Sequence, residues 1–253
     1  MSITNAQLRW VKSLAKKSAR VESGRFFAEG VQSLRVLATN QRWLEKVYLT
    51  EGFASDNKEL VSRISPDLIE TVSDEQIDRM ADANTPQGVM AICKLPSDQP
   101  RITGTPPVYL EQVSDPGNLG TIIRTVDASA AGTLLIGVGS VDAFAPKVVR
   151  SSAGSIFNIE IIQNVDSDEV IGELTNLGYK TYAADMGGVS LTAAELEEKH
   201  AWVFGNEAHG LSSKTLAEVV QVYSIPIFGK AESLNLSVAA GVALYHSAFA
   251  QRG

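Results

Sequence analysis

From residue 108 to the end of the chain, short apolar runs typical of strands alternate with segments that have helical spacing. The predicted strands are 108–112, 133–138, 159–163, 180–184, 201–204 and 222–225. The predicted helices are 118–130, 146–153, 168–177, 192–199, 212–219 and 235–251. A repeated strand-then-helix order is typical of an α/β fold, so we expect a mostly parallel sheet covered on both faces by helices.

A shorter alternation of predicted strands and helices precedes residue 108. Helical spacing over residues 6–20 is followed by predicted strands at 26–28, 47–49, 69–72 and 89–92, with helices at 31–38, 57–64 and 74–82 between them. Four prolines and one glycine lie between Pro96 and Pro107, a composition typical of an exposed linker. The 253 residues are therefore predicted to form a small α/β domain at 1–96, a linker at 97–107 and a larger domain at 108–253.

Three segments rich in glycine and polar residues lie where a strand should pass into a helix. They are residues 115–120 followed by Arg124, residues 205–212, and residues 233–237. In an open parallel sheet the carboxyl ends of the strands share one edge, and ligands bind there. The sequence therefore predicts one composite site built from all three segments.

Each segment also has a purely structural interpretation, which for residues 233–237 is simply the cap of a buried C-terminal helix. Asn118 suits the start of a helix, and Arg124 could either bind a ligand or form a surface ion pair with Asp127. Gly205 permits close approach of the backbone to a ligand, whereas Glu207 could simply cap a helix that begins at Ser212.

Several other functions are disfavoured. Gly137 and Gly139 lack the third glycine of a dinucleotide-binding loop, because position 142 is aspartate. The three histidines have no His or Cys partner at metal-ligand spacing, so we expect no metal. No apolar run reaches the length of a membrane span, and the first residues do not resemble a secretory signal, so a cytoplasmic protein without membrane contact is expected.

Charge is distributed unevenly along the chain. The net charge is −7, yet residues 1–100 hold 13 Lys and Arg and 13 Asp and Glu, so the whole acidic excess lies after residue 100. The first 25 residues carry one acidic side chain, Glu22, and the basic residues Arg9, Lys12, Lys16, Lys17, Arg20 and Arg25. This basic arm is either an RNA contact or a solvated helix face.

The three segments, in this order and at these separations, closely resemble the signature motifs of the SpoU (TrmH-like) branch of the SPOUT superfamily, the S-adenosylmethionine-dependent RNA ribose 2′-O-methyltransferases. The resemblance covers about residues 107–250. Residues 27–30, Phe-Ala-Glu-Gly, follow a basic helix and are similar to the small RNA-binding substrate domain that many members carry. The resemblance implies a knotted α/β domain, in which the C-terminal segment forms a trefoil knot, and an obligate homodimer.

The resemblance also implies roles for individual residues. Gly205, Ile225 and Leu234 would bind S-adenosylmethionine. The catalytic polar set would be Asn118, Arg124, Glu207, Ser233 and Asn235, while Arg150 and Ser152 would help to bind RNA phosphate. Arg9, Lys12, Lys16, Lys17 and Arg20 are the further candidates for RNA binding.

The expected activity is methylation of a ribose 2′-hydroxyl, with ribosomal RNA as the expected substrate by analogy. A transfer RNA 2′-O-methyltransferase and a non-catalytic RNA-binding or ribosome-assembly protein on the same scaffold are the alternatives.

Overall fold

The chain is organised as two units, and the computed structural model describes residues 3–96 and 101–252. Among these residues, one unit comprises 3–96 together with Phe144–Phe157, and the other comprises 101–143 and 158–252. Residues 97–100 of the predicted linker lie outside the described residues. No helix within the described ranges is both long and apolar enough to cross a bilayer.

The first unit is a four-stranded mixed sheet with helices. In chain order its elements are α1 (Asn5–Ser13), α2 (Lys17–Ser23), β1 (Arg25–Glu29), α3 (Val31–Thr39), β2 (Leu44–Leu49), α4 (Glu51–Asp56), α5 (Lys58–Val61), β3 (Ile69–Thr71), α6 (Asp74–Met80) and β4 (Val89–Lys94). The strand order is β1-β4-β2-β3, in which β4 is antiparallel to both neighbours and β2 is parallel to β3.

The second unit contains a six-stranded sheet. Its elements are β5 (Val108–Leu110), α7 (Pro116–Ala128), β6 (Leu134–Gly137), β7 (Ile161–Val165), α9 (Ser167–Asn176), β8 (Lys180–Ser190), β9 (His200–Phe204), α10 (Ser213–Glu218), β10 (Gln221–Ser224) and α11 (Leu236–Arg252); α8 (Pro146–Ser151) belongs to the first unit. The strand order is β10-β8-β9-β5-β6-β7, and all five pairings are parallel. The predicted parallel α/β sheet is confirmed.

Side chains of β9 alternate between two covered faces, as the period of a strand requires. Ala201 and Val203 pack with Val170 and Leu174 of α9 in one core cluster. On the opposite face, Trp202 Nε1 donates to Ser247 Oγ of α11 at 2.8 Å. Helices therefore cover both faces of the sheet, which explains the near-continuous apolar strands.

The long N-terminal helix expected over residues 6–20 is instead two helices. Lys16 has an extended backbone between them, and the guanidinium of Arg20 turns inward. Its Nη1 donates to the carbonyl oxygens of Leu14 (2.8 Å) and Ala15 (2.9 Å), which lie just beyond the end of α1. These carbonyls would otherwise lack a partner, so Arg20 stabilises the break rather than facing solvent.

Residues Phe144–Phe157 pack with the first unit although they follow β6 in the chain. The Phe26 ring contacts those of Phe144 and Phe157, with centroid distances of 4.8 and 6.1 Å. The carbonyl of Phe157 accepts hydrogen bonds from Asn40 Nδ2 (3.0 Å) and Trp43 Nε1 (3.2 Å). This aromatic cluster explains why residues 144–157 belong to the first unit, although the sequence placed them in the domain at 108–253.

The helix predicted at 192–199 is wrong. The structure has a single 3-10 turn at Leu191–Ala193, after which the chain is irregular up to β9. Glu197 N donates to Tyr182 Oη at 3.2 Å, and Glu197 O accepts from His200 Nδ1 at 2.6 Å. These tertiary hydrogen bonds override the helix propensity of a segment rich in Ala, Leu and Glu.

Residues 101–107 of the predicted linker are part of the second unit. Pro106 O accepts from Gly132 N at 2.8 Å, and Pro107 O accepts from Trp202 N at 2.9 Å. Both prolines are buried. Their carbonyls extend the hydrogen bonding of the sheet, whereas an exposed linker would leave them to water.

A buried polar triad attaches α11 to the sheet. Because Glu197 O can only accept, His200 carries its proton on Nδ1, and Nε2 accepts from Ser247 Oγ at 2.8 Å. Ser247 Oγ in turn accepts from Trp202 Nε1. Burial lowers the pKa of His200 although its ring is hydrogen-bonded to the backbone, which keeps the neutral form that this arrangement requires.

Replacing Ser247 with alanine is expected to lower the free energy of unfolding by about 2 kcal/mol or more, because Trp202 Nε1 and His200 Nε2 would both lose a partner while buried. Urea denaturation measures the change. Ser213→Ala, at an exposed serine with no hydrogen bond of its side chain among the described residues, is the control. Equal stability of the two variants would contradict the importance of the triad.

Candidate active site

Glu207 joins the loop after β9 to the loop after β5. Its Oε2 accepts from Ser114 N (3.1 Å) and Ser114 Oγ (2.9 Å). Its Oε1 accepts from Asp115 N (3.0 Å) and Asn118 Nδ2 (3.1 Å). Since β5 and β9 are neighbours in a parallel sheet, their carboxyl ends bring these two loops into contact.

Asn118 extends this network to the third segment. Its Oδ1 accepts from Asn235 Nδ2 at 2.9 Å, so its amide lies between the carboxylate of Glu207 and the amide of Asn235. Asn235 Oδ1 accepts from both the backbone N (2.8 Å) and Oγ (2.7 Å) of Ser237, near the start of α11. All three segments singled out in the sequence therefore meet in one continuous hydrogen-bond network.

The start of α7 differs from the expectation that Asn118 would cap it. Asp115 is the capping residue, and its Oδ1 accepts from Asn118 N at 2.8 Å, while Pro116 occupies the first helical position. Asn118 thus lies within the first turn, which leaves its side chain free for Glu207 and Asn235. The negative charge of Glu207 next to this helix N-terminus is also favourable to the helix dipole.

The alternative role of Glu207 as the cap of α10 does not occur. Ser212 caps that helix, because its Oγ accepts from Thr215 N at 3.2 Å. Partial burial raises the pKa of Glu207, but hydrogen bonds from Asn118 and from the backbone at Ser114 and Asp115 outweigh this effect and lower the pKa to about 2. Glu207 is therefore a firmly ionised acceptor.

The loop of Glu207 is held by its own backbone. Asn206 and Gly210 exchange two backbone hydrogen bonds of 2.9 Å, and Asn206 Oδ1 accepts from Ala208 N (2.8 Å) and His209 N (3.1 Å). A Cβ at Gly205 would collide with the carbonyl group of Gly210. Glycine is therefore required at position 205 for this loop to close, whether or not a ligand also binds there.

Arg124 remains available for a ligand. Its side chain is exposed and has no hydrogen bond or ion pair among the described residues. The predicted alternative, an ion pair with Asp127, is not formed, because Asp127 Oδ2 accepts from Asn158 Nδ2 at 3.0 Å. Arg124 follows Asn118 by six residues, which corresponds to about 9 Å along the axis of α7.

The segment between β10 and α11 has an open backbone. Residues 227–234 make no backbone hydrogen bond to any described residue. Ile225 is half-buried, Leu234 is 36% exposed, and Ser233 is exposed without a recorded partner in the described part of the chain. The segment combines apolar side chains with unpaired donors and acceptors, as binding of a heterocyclic ligand requires.

The predicted RNA-binding residues of the N-terminal arm lie in the first unit, where some are exposed and others are bound within the fold. Arg9, Lys16 and Lys17 are exposed, whereas Lys12 Nζ donates to the carbonyl of Ala81. Arg20 is only 3% exposed and serves the break between α1 and α2, so it is not a surface ligand.

The two residues expected to bind RNA phosphate, Arg150 and Ser152, also serve the fold. Arg150 Nη1 pairs with Glu29 Oε2 (3.0 Å) and Asp82 Oδ2 (3.3 Å), so two carboxylates compete with any phosphate. Ser152 is fully buried, and its Oγ donates to Val149 O at 2.7 Å. Its burial contradicts direct contact with RNA.

Sequence reasoning missed Ser114, Asp115 and Asn206 as organisers of the site. The Asp-Pro pair at 115–116 is a recognisable cap followed by a first-turn proline, so Asp115 carried a readable signal. Ser114 carried none, because its role depends on the position of Glu207, 93 residues later in the chain.

Replacing Glu207 with glutamine should lower the free energy of unfolding by about 1 kcal/mol at neutral pH, because an NH₂ group would replace one carboxylate oxygen and face two of the four donors, while solvent screens part of the loss. In the wild type, the stabilisation is present above the pKa of an unfolded glutamate, about 4.3, and is lost as the pH falls toward 2. The gap between the two proteins should therefore narrow from pH 7 to about pH 3.5.

Urea denaturation at both pH values measures this gap. Glu218→Gln, at an exposed residue with no hydrogen bond of its side chain in the described ranges, is the matched control and should show neither effect. A gap that is constant with pH would contradict the role assigned to the ionised carboxylate.

Comparison with known proteins agrees with this geometry. Residues 106–245 match the SpoU rRNA Methylase family, and residues 5–91 match the MRM3-like substrate binding domain. A relative from Bacillus subtilis (strain 168), the 23S rRNA (guanosine(2553)-2′-O)-methyltransferase RlmP, is 30% identical over 246 residues, which is 97% of each chain.

Two solved structures are similar over nearly the whole chain. A TrmH-family protein from Porphyromonas gingivalis has a TM-score of 0.85 at 26% identity and covers 98% of each chain. An AdoMet-bound rRNA methyltransferase from Sinorhizobium meliloti has a TM-score of 0.83 at 26% identity, covering 100% of this chain and 98% of that one. The resemblance inferred from the three motifs is confirmed, and the chain belongs to the SpoU rRNA methylase family.

Proposed function

We propose that this protein is an RNA methyltransferase that uses S-adenosylmethionine to methylate a ribose 2′-hydroxyl, with ribosomal RNA as its substrate. The observation that carries the proposal is the network of Glu207, Asn118 and Asn235, because it unites the three family motifs. On the same helix as Asn118, the guanidinium of Arg124 has no partner in the described part of the chain. A free cation on the helix that carries part of a firmly held polar network suits the orientation of a hydroxyl or phosphate group.

The open segment after β10 fits the cofactor. S-adenosylmethionine has an adenine ring, a ribose and an amino-acid group, which require apolar contact as well as donors and acceptors. Ile225 and Leu234 offer the apolar contact, and the unpaired backbone of residues 227–234 offers hydrogen bonds. Gly205, at the end of β9, would contribute its backbone. When bound, the cofactor supplies an electrophilic methyl group.

Neither charged residue of the site suits the role of general base. Glu207 has a pKa lowered to about 2 and four donors around its carboxylate, so it has little tendency to accept a proton. A guanidinium stays protonated in proteins and has no lone pair available to accept a proton. Arg124 would therefore orient and polarise the hydroxyl, and the proton would be lost late, to water. Asn118 and Asn235 would position the loops around it, and the hydroxyl of Ser233, unpaired in the described part of the chain, would be available to the ligand.

Ribosomal RNA is the proposed substrate for two reasons. The relative from B. subtilis, whose name states a 23S rRNA nucleotide, matches over 97% of this chain. The first unit, moreover, matches a substrate-binding domain, which fits a large structured RNA. A cytoplasmic location fits this substrate. The transfer RNA enzyme and the non-catalytic RNA-binding protein are separated from this proposal by the assay below.

The protein is further proposed to act as a homodimer through α11. Val238, Val242, Tyr245 and Phe249 are exposed, at spacings of four, three and four residues, which places them along one stripe of the helix. An exposed apolar stripe of this length is typical of a protein interface, and a symmetric pair of such stripes would cover both. The trefoil knot implied by the resemblance stays a prediction, and the packing of α11 on α7 is compatible with it.

Replacing Arg124 with alanine should reduce methyl transfer by at least about 100-fold, because a transition-state interaction is lost, while S-adenosylmethionine affinity stays within a few fold. Transfer of a tritiated methyl group to 23S rRNA, with transfer RNA in parallel, measures turnover, and calorimetry measures cofactor binding. Arg101→Ala, at an exposed arginine of the same unit, is the control. Undiminished turnover would refute the role of Arg124, and no transfer to either RNA by the wild type would refute the activity.

Replacing Val242 with glutamate should convert the dimer to monomer, because two carboxylates would be buried in the symmetric interface without partners. Analytical ultracentrifugation measures the change. Val220→Glu places the same charge at an exposed valine outside α11 and should leave the mass unchanged. A monomeric wild-type protein would contradict the dimer directly.

A further inference from the structure

The basic arm at the N-terminus has fewer free charges than its sequence indicates. Lys12 binds a carbonyl, Arg20 is internal, and Arg25 Nε pairs with Glu45 Oε1 at 2.6 Å. The exposed side chains of Arg9, Lys16 and Lys17 have no hydrogen bond or ion pair with any described residue. These last three, which we call the free cations, are the part of the arm that a polyanion could bind.

Trp10 follows Arg9 directly in the chain, precedes Lys16 and Lys17 by six and seven residues, and is 37% exposed. It points away from the core that Leu8 and Val11 enter, because it follows Leu8 by about 200° around α1. In the described ranges its indole has no ring partner, no cation over its face and no hydrogen bond from Nε1. Val21, on α2, is a second exposed apolar side chain in the arm.

The other two tryptophans show that this exposure is unusual. Trp202 is fully buried and donates to Ser247, and Trp43 packs on Phe157 and donates to its carbonyl. Tryptophan has a large apolar surface that folding normally removes from water. The partly exposed indole of Trp10, in the same basic segment as the three free cations, is therefore available for a partner.

We propose that Trp10 is a stacking platform for an unpaired base of the RNA, and that Arg9, Lys16 and Lys17 contact the phosphates on either side of that base. The ligand class is single-stranded RNA, such as an unpaired loop. Bases of a duplex are stacked on one another and cannot offer a face to an indole, whereas bases of single strands stack on aromatic side chains. This inference rests on the proposed function, since it assigns a contact for the same substrate.

The charge of the surface favours RNA over a protein partner. Within residues 3–25 the only acidic side chain is Glu22, so the segment that carries the indole is basic, although α6, which packs against α1, carries Asp74, Glu75 and Asp78. Three phosphate contacts to a single strand give a slope of about −2 for the logarithm of the binding constant against the logarithm of the salt concentration. This small number of charges leaves a sizeable share of the affinity to stacking.

The test is a fluorescence titration of the full-length protein with a single-stranded RNA of about 12 nucleotides and with a duplex of the same sequence. Stacking should quench the emission of Trp10 with the single strand and not with the duplex. Trp10→Ala should weaken binding of the single strand at least about fivefold, the lower range for loss of one base–aromatic stack. Trp10→Phe should retain most of the affinity, and Trp10→Leu should behave like alanine because it keeps apolar area but no π face.

The cations are tested separately. Lys16→Gln should reduce the magnitude of the salt slope by about 0.7, and the control Lys58→Gln, at an exposed lysine elsewhere in the first unit, should not change it. Unchanged affinity of Trp10→Ala, or equal affinity of the leucine and phenylalanine variants, would overturn the proposal. Quenching by the duplex as strong as by the single strand would also overturn it.

Failure of the proposed function would give a different result. A protein that binds the single strand through Trp10 but transfers no methyl group would retain this inference and lose the activity. A protein that methylates RNA normally with alanine at position 10 and binds the single strand unchanged would retain the activity and lose this inference. If Trp10 becomes protected from solvent as the concentration of the protein alone rises, the surface binds a second copy of the chain and not RNA.

Discussion

The arrangement of the site depends on one carboxylate that accepts four hydrogen bonds. Glu207 lies in the loop after β9, and its donors come from the loop and first turn after β5. Parallel pairing of these neighbouring strands brings the groups to one edge, but only an acceptor without protons of its own can satisfy all of them. Because the last donor is Asn118, fixing Glu207 also fixes the amide that contacts Asn235 and thus the start of α11.

This constraint separates the rigid part of the site from the reactive part. Glu207, Asn118 and Asn235 use their polar atoms on one another, so they hold the loops in place and have little capacity left for a substrate. Arg124 and the backbone of residues 227–234 have no partners in the described part of the chain and are available to ligands. A site of this kind works by preorganised position, because the groups that bind ligand need not rearrange when it arrives.

The sequence predicted those features that follow from periodicity and from the position of loops. Apolar runs separated by helices predict the parallel sheet, and sheet geometry predicts that loops 93 and 117 residues apart meet. Features that depend on a distant partner were not predictable. Residues 192–199 have a helical composition, yet hydrogen bonds to Tyr182 and His200 keep them irregular. Arg20 has the composition of a surface cation, yet two carbonyls beyond α1 draw it inward.

Whether a cation is free or already paired within the fold also decides how an acidic protein can bind a polyanion. A count over the first 25 residues gives six cations, but half of them are used by carbonyls or by Glu45, and Arg150 is held by Glu29 and Asp82. A cation that is already paired within the fold binds phosphate more weakly, because its carbonyl or carboxylate partner would first have to be released. With only three free cations in the described part of the arm, electrostatic attraction by the arm alone gives weak binding that salt abolishes. Contacts that do not depend on charge, such as stacking on an exposed indole, then have to supply the remainder.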